Sequence, residues 1–387
     1  MNIEPLEDPI PLRLASSAFP AGLPLARPQV DDPSRVAADV EGILRSGVLT
    51  NGPYVRRFEE AASDYLGVPH CVAVSSCTAG LMLVLRATEL SGEVVVPSFT
   101  FAATAHAVQW NGLRPVFADI DLPTLTLSPA AVERAIGVHT SAILATHIYG
   151  TPCDVDELRR VADRNGLHLF FDAAHAFGST HDGTKVGNFG DAEVFSLSPT
   201  KVVIAAEGGV IATSDDLLAE RCRIGRDYGN PGDYDCRFVG LNARMSELHA
   251  ATALVSLEGL EGRLAERNRL AAAYTSALSG VPGIRIPSVP AGDRSTFKDY
   301  SIFIDPDGYG LDAEATAELL RMEGIETRRY YSPPVHAMRA YRAPGGATVD
   351  LPATEEAARQ VLTLPLWVGM KDAQVAGVAQ VIRRIRP

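Results

Sequence analysis

From residue 70 onward, short runs of apolar residues recur at regular intervals, each followed by an amphipathic stretch. Residues 70–75, 93–96, 115–118, 141–146 and 167–171 read as strands, and 78–90, 101–110, 129–136 and 155–165 as the helices between them. Strands that are apolar on both faces and alternate with helices predict a mostly parallel sheet covered on both sides. Two more strands, 193–197 and 209–213, follow without a full helix between them. Upstream, Asp32 is placed to cap a helix at 33–46, and a second amphipathic helix spans 54–65. Downstream, 245–278 has helical periodicity with a break near Gly259 or Gly262, and such a helix can bridge two domains. A Pro-rich joint at 282–290 leads to a strand at 300–304 and helices at 312–323 and 354–361, a smaller α+β pattern. The chain thus divides into a lead (1–32), a large domain (33–250), and a bridging helix with a small C-terminal domain (251–387).

Composition narrows the function. The 387 residues are 46% hydrophobic and 21% charged, the balance of a soluble globular protein with more than one core. A formal charge of −12 excludes nucleic acid as the main partner, while a locally positive pocket for an anionic small molecule remains open. No run approaches ~20 apolar residues, and the acidic start (Glu4, Glu7, Asp8) is unlike a secretory signal, so a cytoplasmic enzyme without a membrane partner is expected. The five cysteines are scattered and read as reduced thiols; no metal site is expected. Lysine occurs only at Lys185, Lys201, Lys298 and Lys371, so chemistry that needs an amine has four candidates.

Ligands of open α/β sheets bind beyond the carboxyl ends of the strands. Ser75-Ser76-Cys77-Thr78 follows the first strand, where it either caps a helix or holds a phosphate on free backbone N–H groups. Asp172 ends an apolar strand, either as the cap of a helix at 173–177 or as a carboxylate that keeps a pyridine nitrogen protonated. His175, three residues on, either faces the same site or serves as a structural hydrogen-bonding residue. Lys201, between Pro199 and the apolar run 202–206, is the best-placed imine former, because a desolvated amine is a better nucleophile. Ser196, at a strand end, is placed to bind a phosphate oxygen.

The segments GPYVRRFEE (52–60), SSCTAGL (75–81), PSFTFAATA (97–105), HIYG (147–150), FDAAHAFG (171–178), FSLSPTK (195–201), EGG (207–209), NARMSE (242–247) and LPLW (364–367) resemble, in order and spacing, the DegT/StrS group of sugar aminotransferases. These are fold-type I enzymes that use pyridoxal 5′-phosphate (PLP). The resemblance implies a seven-stranded-type sheet flanked by helices, with PLP as a Schiff base on Lys201. It also implies that Asp172 pairs with the ring nitrogen, Phe101 stacks on the ring, and His175 sits beside it. Thr78, Ala79 and Ser196 would hold the phosphate. Asn242 resembles the asparagine that reaches a second subunit, implying a homodimer with shared sites. Cys77 departs from the usual Gly or Ala. In the loosely matching small domain, Lys298, Arg328, Arg329, Tyr330, Tyr331 and His336 are offered as substrate contacts, Lys298 to a diphosphate, against a bland reading as solvated charge and packed aromatics.

The activity implied is transfer of an amino group from glutamate or glutamine to a nucleotide-linked keto-deoxysugar, at C4 of a dTDP-4-keto-6-deoxyhexose. His175 supports C4, since relatives acting at C3 often carry glutamine there. Amination at C3 or of a keto-cyclitol is the alternative. A sugar dehydratase is disfavoured by Lys201, and a silent PLP-binding regulatory protein by the full set of cofactor residues. The product would be a deoxyaminosugar for a secondary metabolite or surface glycan. A nicotinamide dehydrogenase fits poorly, because no G-x-G-x-x-G follows the first strand.

Overall fold

A computed structural model of the protein describes residues 17–342 and 349–387. Helices α1 (Pro33–Ser46) and α2 (Pro53–Leu66) lead into an alternating series: β1 (His70–Val74), α3 (Cys77–Ala87), β2 (Glu93–Pro97), α4 (Ala103–Trp110), β3 (Arg114–Ala118), α5 (Pro129–Ala135), β4 (Thr140–Thr146), α6 (Val155–Asn165) and β5 (His168–Asp172). A two-residue hairpin follows, β6 (Thr180–His181) with β7 (Thr184–Lys185), then β8 (Ala192–Ser196), β9 (Gly209–Thr213) and α7 (Asp216–Gly225). The large sheet has the order β1-β9-β8-β5-β4-β2-β3. Only β9 runs against its neighbours; β8, β5, β4, β2 and β3 pair in parallel. Strands β2, β5, β8 and β9 are buried along nearly their whole length because helices pack on both faces, which explains their mainly apolar runs; the edge strand β3 is more open.

The helical stretch after residue 245 is two helices, α8 (Glu247–Glu258) and α9 (Leu260–Leu278), and the break lies at Gly259. The Asp31–Arg263 ion pair crosses that position, and a Cβ on Gly259 would lie 2.5 Å from Asp31 Oδ2. Helix α9 belongs to two cores: Leu260 and Leu264 pack under the large sheet, and Leu270, Tyr274 and Leu278 against a second sheet. That sheet is β10 (Ile284–Arg285), β11 (Tyr300–Ile304) and β12 (Val361–Leu364), accompanied by α10 (Pro306–Tyr309), α11 (Ala313–Met322), α12 (Pro352–Gln360) and α13 (Asp372–Arg384). A cluster of Phe99, Tyr149, Phe303 and Tyr331 joins the two sheets.

Two of the segments quoted above meet here. Helix α2 opens at Gly52, which has no side chain to cap it. The buried carboxylate of Glu247 does so instead, accepting from the N–H groups of Gly52 (2.9 Å), Tyr54 (2.8 Å) and Val55 (3.0 Å). A Cβ at Gly52 would lie 2.7 Å from Glu247 Oε2, so glycine is required for this approach. Glu247→Ala leaves three donors without their acceptor and is expected to cost about 3 kcal/mol. Urea denaturation should show the midpoint falling, with Glu247→Gln between it and the wild type. An unshifted midpoint would mean that water replaces the carboxylate.

Candidate active site

The carboxyl ends of β1, β2, β4, β5 and β8 surround a cavity of about 320 Å³, within the ~300–1,000 Å³ typical of small-molecule sites. The start of β9 lies at the same edge, because its reversed direction pairs Gly209 with Val74 and Ser196. Of the residues singled out in the sequence, Thr78, Phe101, Asp172, His175, Ser196, Lys201, Lys298 and Tyr331 line this cavity together, and Cys77 joins them.

One wall is the start of α3. Ser76 caps this helix, its Oγ accepting from Ala79 N–H at 3.1 Å. The cap and the phosphate wall are therefore the same structure. Ala79 itself does not line the cavity, since its N–H is taken by the cap. Gly209 lets β9 pass close: a Cβ there would lie 2.7 Å from Cys77 N. Cys77 is buried, its Sγ 3.4 Å from the Val194 carbonyl and 3.8 Å from Asp172 Oδ1, and burial pushes its thiol well above the usual range.

Asp172 is the last residue of β5. No helix begins after it; residues 173–179 form turns, which corrects the capping alternative. Its Oδ1 accepts from Ala174 N–H (3.1 Å) and its Oδ2 from Thr104 Oγ1 (2.7 Å). Thr104 Oγ1 is in turn 2.9 Å from Thr100 Oγ1, which lies 3.2 Å from Thr146 Oγ1. Burial raises the Asp172 carboxyl above the ordinary carboxylate range, against the lowering effect of these bonds and of the Lys201 charge. Among the described residues it makes no ion pair. The hydroxyl chain is not among the sequence candidates, because Thr100 lies before α4 and Thr146 at the end of β4, and no local spacing joins them to Thr104.

His175 is buried, and its Nδ1 accepts from the N–H of Tyr149 at 3.1 Å. Burial first, then the charges of Lys201 and Lys298, hold it well below the usual histidine value, so the ring is neutral. Lys201 follows β8 in an irregular segment, its N–H donating to Ser198 O at 3.0 Å. The residue is half-buried overall, but the cavity walls desolvate its ammonium end. That burial, followed by the charge of Lys298, brings its pKa down to about 8.

The remaining candidates lie elsewhere. Arg329 donates to the carbonyls of Ala358 and Arg359 at the end of α12, both at 2.9 Å. His336 Nδ1 lies 2.7 Å from Ser98 Oγ, outside the cavity. Asn242 is exposed and bridges to Asp227. Phe101 stands at the cavity with 61% of its surface exposed. Ser76 and Tyr330, both candidates from the sequence, also line the cavity, together with Thr100, Thr146, Ser198 and Thr200, which the sequence does not single out.

The chain belongs to the DegT/DnrJ/EryC1/StrS aminotransferase family, whose model matches residues 31–383. It is a PLP-dependent sugar transaminase. It is 34% identical over 363 residues to the dTDP-4-amino-4,6-dideoxy-D-glucose transaminase of Escherichia coli, covering 93% of this chain and 98% of that one. To the dTDP-3-amino-3,4,6-trideoxy-alpha-D-glucose transaminase of Streptomyces venezuelae it is 36% identical, over 89% and 90% of the two chains. Its fold is similar to a structure of DesI in the presence of its TDP-sugar product, with a TM-score of 0.90 and 41% identity, over 95% and 94% of the two chains.

The donor set fits PLP. A molecule with a phosphate, an aldehyde and a basic ring nitrogen matches a helix start that β9 approaches closely at Gly209, an amine of lowered pKa, and a buried carboxylate with no ion pair among the described residues. One pH dependence follows. Uptake of PLP by the apoprotein requires neutral Lys201, so its rate should rise with pH to a midpoint near 8 rather than near the ordinary 10.5. Stopped-flow absorption would check this; a rate still climbing above pH 9 would mean the amine is not depressed.

Proposed function

We propose that this transaminase moves an amino group from glutamate to C4 of a nucleotide-linked 4-keto-6-deoxyhexose, with Lys201 as its catalytic amine. The observation that carries the reading is the convergence of Lys201, Asp172 and the α3 start on one cavity. When bound, PLP supplies an electron sink that acidifies the carbon bearing the amino group. Lys201 Nζ is the amine that would hold it, and as a free amine Lys201 would carry a proton to and from the substrate carbon. Asp172 keeps a negative charge against the ring nitrogen, and its bonds to Thr104 and Ala174 fix its orientation. Thr78, Ser196 and the α3 start hold the phosphate, with Ala79 in support through its cap bond. Phe101 covers the ring, and neutral His175 stands beside it. Asn242, exposed on one protomer, serves the site of a second, which makes the working unit a homodimer. Tyr331 borders the sugar. Arg329 and His336 act by shaping the segment 328–336 that presents it.

Amination at C4 is supported by His175 and by the name of the Escherichia coli relative, which spans nearly the whole chain. The Streptomyces venezuelae relative carries a 3-amino product in its name, so C3 is the second reading. The test is a pair of half-reactions. PLP-loaded enzyme should lose its visible band on addition of L-glutamate and regain it with dTDP-4-keto-6-deoxyglucose, and NMR of the product should place nitrogen on C4. Nitrogen on C3 of a 3-keto isomer would select the second reading, and a band that survives every amino donor would reject the proposal.

A further inference from the structure

Transamination brings in two substrates in turn, and the first carries its reacting nitrogen on a carbon bonded directly to a carboxylate. A cation must meet that carboxylate close to Lys201, because the two groups share one carbon. A side chamber of about 40 Å³ shares Lys201 with the main cavity, and among the described residues the two are lined by four other basic side chains: Arg27, Arg263, Arg267 and Lys298. Arg263 is spent on Asp31 and on the carbonyls of Val202 and Ser256. Arg267 gives its Nε and Nη2 to the carbonyls of Thr296, Phe297 and Lys298, and it lines the side chamber but not the main cavity. Arg27 is exposed and lines only the side chamber.

Lys298 lines both spaces. Its buried ammonium is held by Asp299 Oδ1 at 2.8 Å and lies 5.5 Å from the centre of the Tyr330 ring. An ammonium has three N–H donors, and this one uses a single side-chain bond among the described residues. The backbone is pinned as well: Lys298 N–H donates to Tyr149 O at 2.9 Å, and its carbonyl accepts from Arg267 at 2.6 Å. A cation fixed in this way with donors to spare is a preorganised anion site.

We infer that Lys298 takes the α-carboxylate of the amino-acid donor, with Asp299 as the residue that positions it. The inference rests on the transaminase reading above. A diphosphate is the other anion the reaction brings in, but in a sugar aminated at C4 it is attached at C1, across the ring from the reacting carbon. A cation on the wall shared with Lys201 suits the carboxylate better. The charge of Lys298 also reaches Lys201 and His175, where it lowers both.

The test compares L-glutamate with 4-aminobutyrate, the same amine without the α-carboxylate, in the first half-reaction of PLP-loaded enzyme. In Lys298→Met the preference for glutamate should collapse by about 30-fold, the worth of a charge-assisted contact. Lys298→Arg should recover part of it, and the keto-sugar half-reaction should lose less in Lys298→Met than the glutamate half-reaction does. Calorimetry gives a readout without turnover: glutarate should bind the loaded wild type and lose about 30-fold in Lys298→Met. If Lys298→Met does not accumulate as folded protein, Lys298→Gln carries the same comparison. An unchanged preference, or a loss confined to the nucleotide sugar, overturns the inference and leaves the transaminase reading intact. A wild type inert to every amino acid overturns the transaminase reading itself.

Discussion

Lys201→Ala is expected to reduce amino transfer by at least about a thousandfold, roughly 4 kcal/mol of barrier. The visible absorption that marks PLP held on an amine should disappear with it. The expectation follows from the disposition of the four lysines. Lys185 donates to the Tyr65 carbonyl and lies over that ring, and Lys371 stands at the start of α13. Lys298 reaches the cavity but is tied to Asp299. Only Lys201 combines a place at the cavity, a pKa near 8 and freedom from an ion pair among the described residues. Lys201→Arg separates charge from nucleophilicity, since a guanidinium stays protonated. It should be as inactive as the alanine variant while keeping the positive charge beside Asp172. Rapid-quench assays of both half-reactions, with circular dichroism to confirm folding, check the result. Turnover near wild type in either variant would assign the chemistry to another amine.

Much of this site is legible in the sequence, because parallel strands buried on both faces must be apolar throughout, and a polar residue at a strand end stands out. Asp172, Ser196 and the serines before Cys77 are visible for that reason, and Lys201 because lysine is so scarce. Contacts between distant segments are not visible. Nothing local in residues 52–60 or 242–247 says that Glu247 caps α2, although both segments carry the family resemblance. Arg329 reads as a candidate ligand until the structure shows it closing the end of α12. The strand β12 is not legible in the sequence, because the helical pattern of 354–361 runs straight into its valine and leaves no punctuation. Helices α7 and α13 are also outside the sequence reading, though Val375, Val378 and Ile382 recur at helical spacing. The small sheet is harder to read than the large one because its elements are short and its strands separated by long excursions.

Asp172→Asn is expected to slow the first half-reaction by between about a hundredfold and a few thousandfold, the ~3–5 kcal/mol associated with breaking a buried charge pair. The substitution is nearly free of packing change. Asparagine keeps an oxygen for the Ala174 N–H, and Thr104 can turn its hydroxyl to accept from the new amide, so the variant removes charge and little else. Stability should move the other way. The folded-state carboxyl has its pKa raised by burial above 3.8, so its favourable contribution is present at low pH and lost as pH rises through the raised value. At neutral pH the apoprotein therefore buries a charge at a cost, and the asparagine variant should be at least as stable as wild type. Loading with PLP reverses the comparison, because the ring nitrogen gives the carboxylate the cation it lacks, and the wild type should gain more from the cofactor than the variant. Thermal melts of both proteins, each with and without PLP, measure this directly. A variant that melts lower without cofactor would make Asp172 a structural residue of β5. Lower activity joined to equal or higher apoprotein stability marks a residue whose strain is maintained for its partner, and that is the pattern expected of a cofactor ligand at the end of a buried strand.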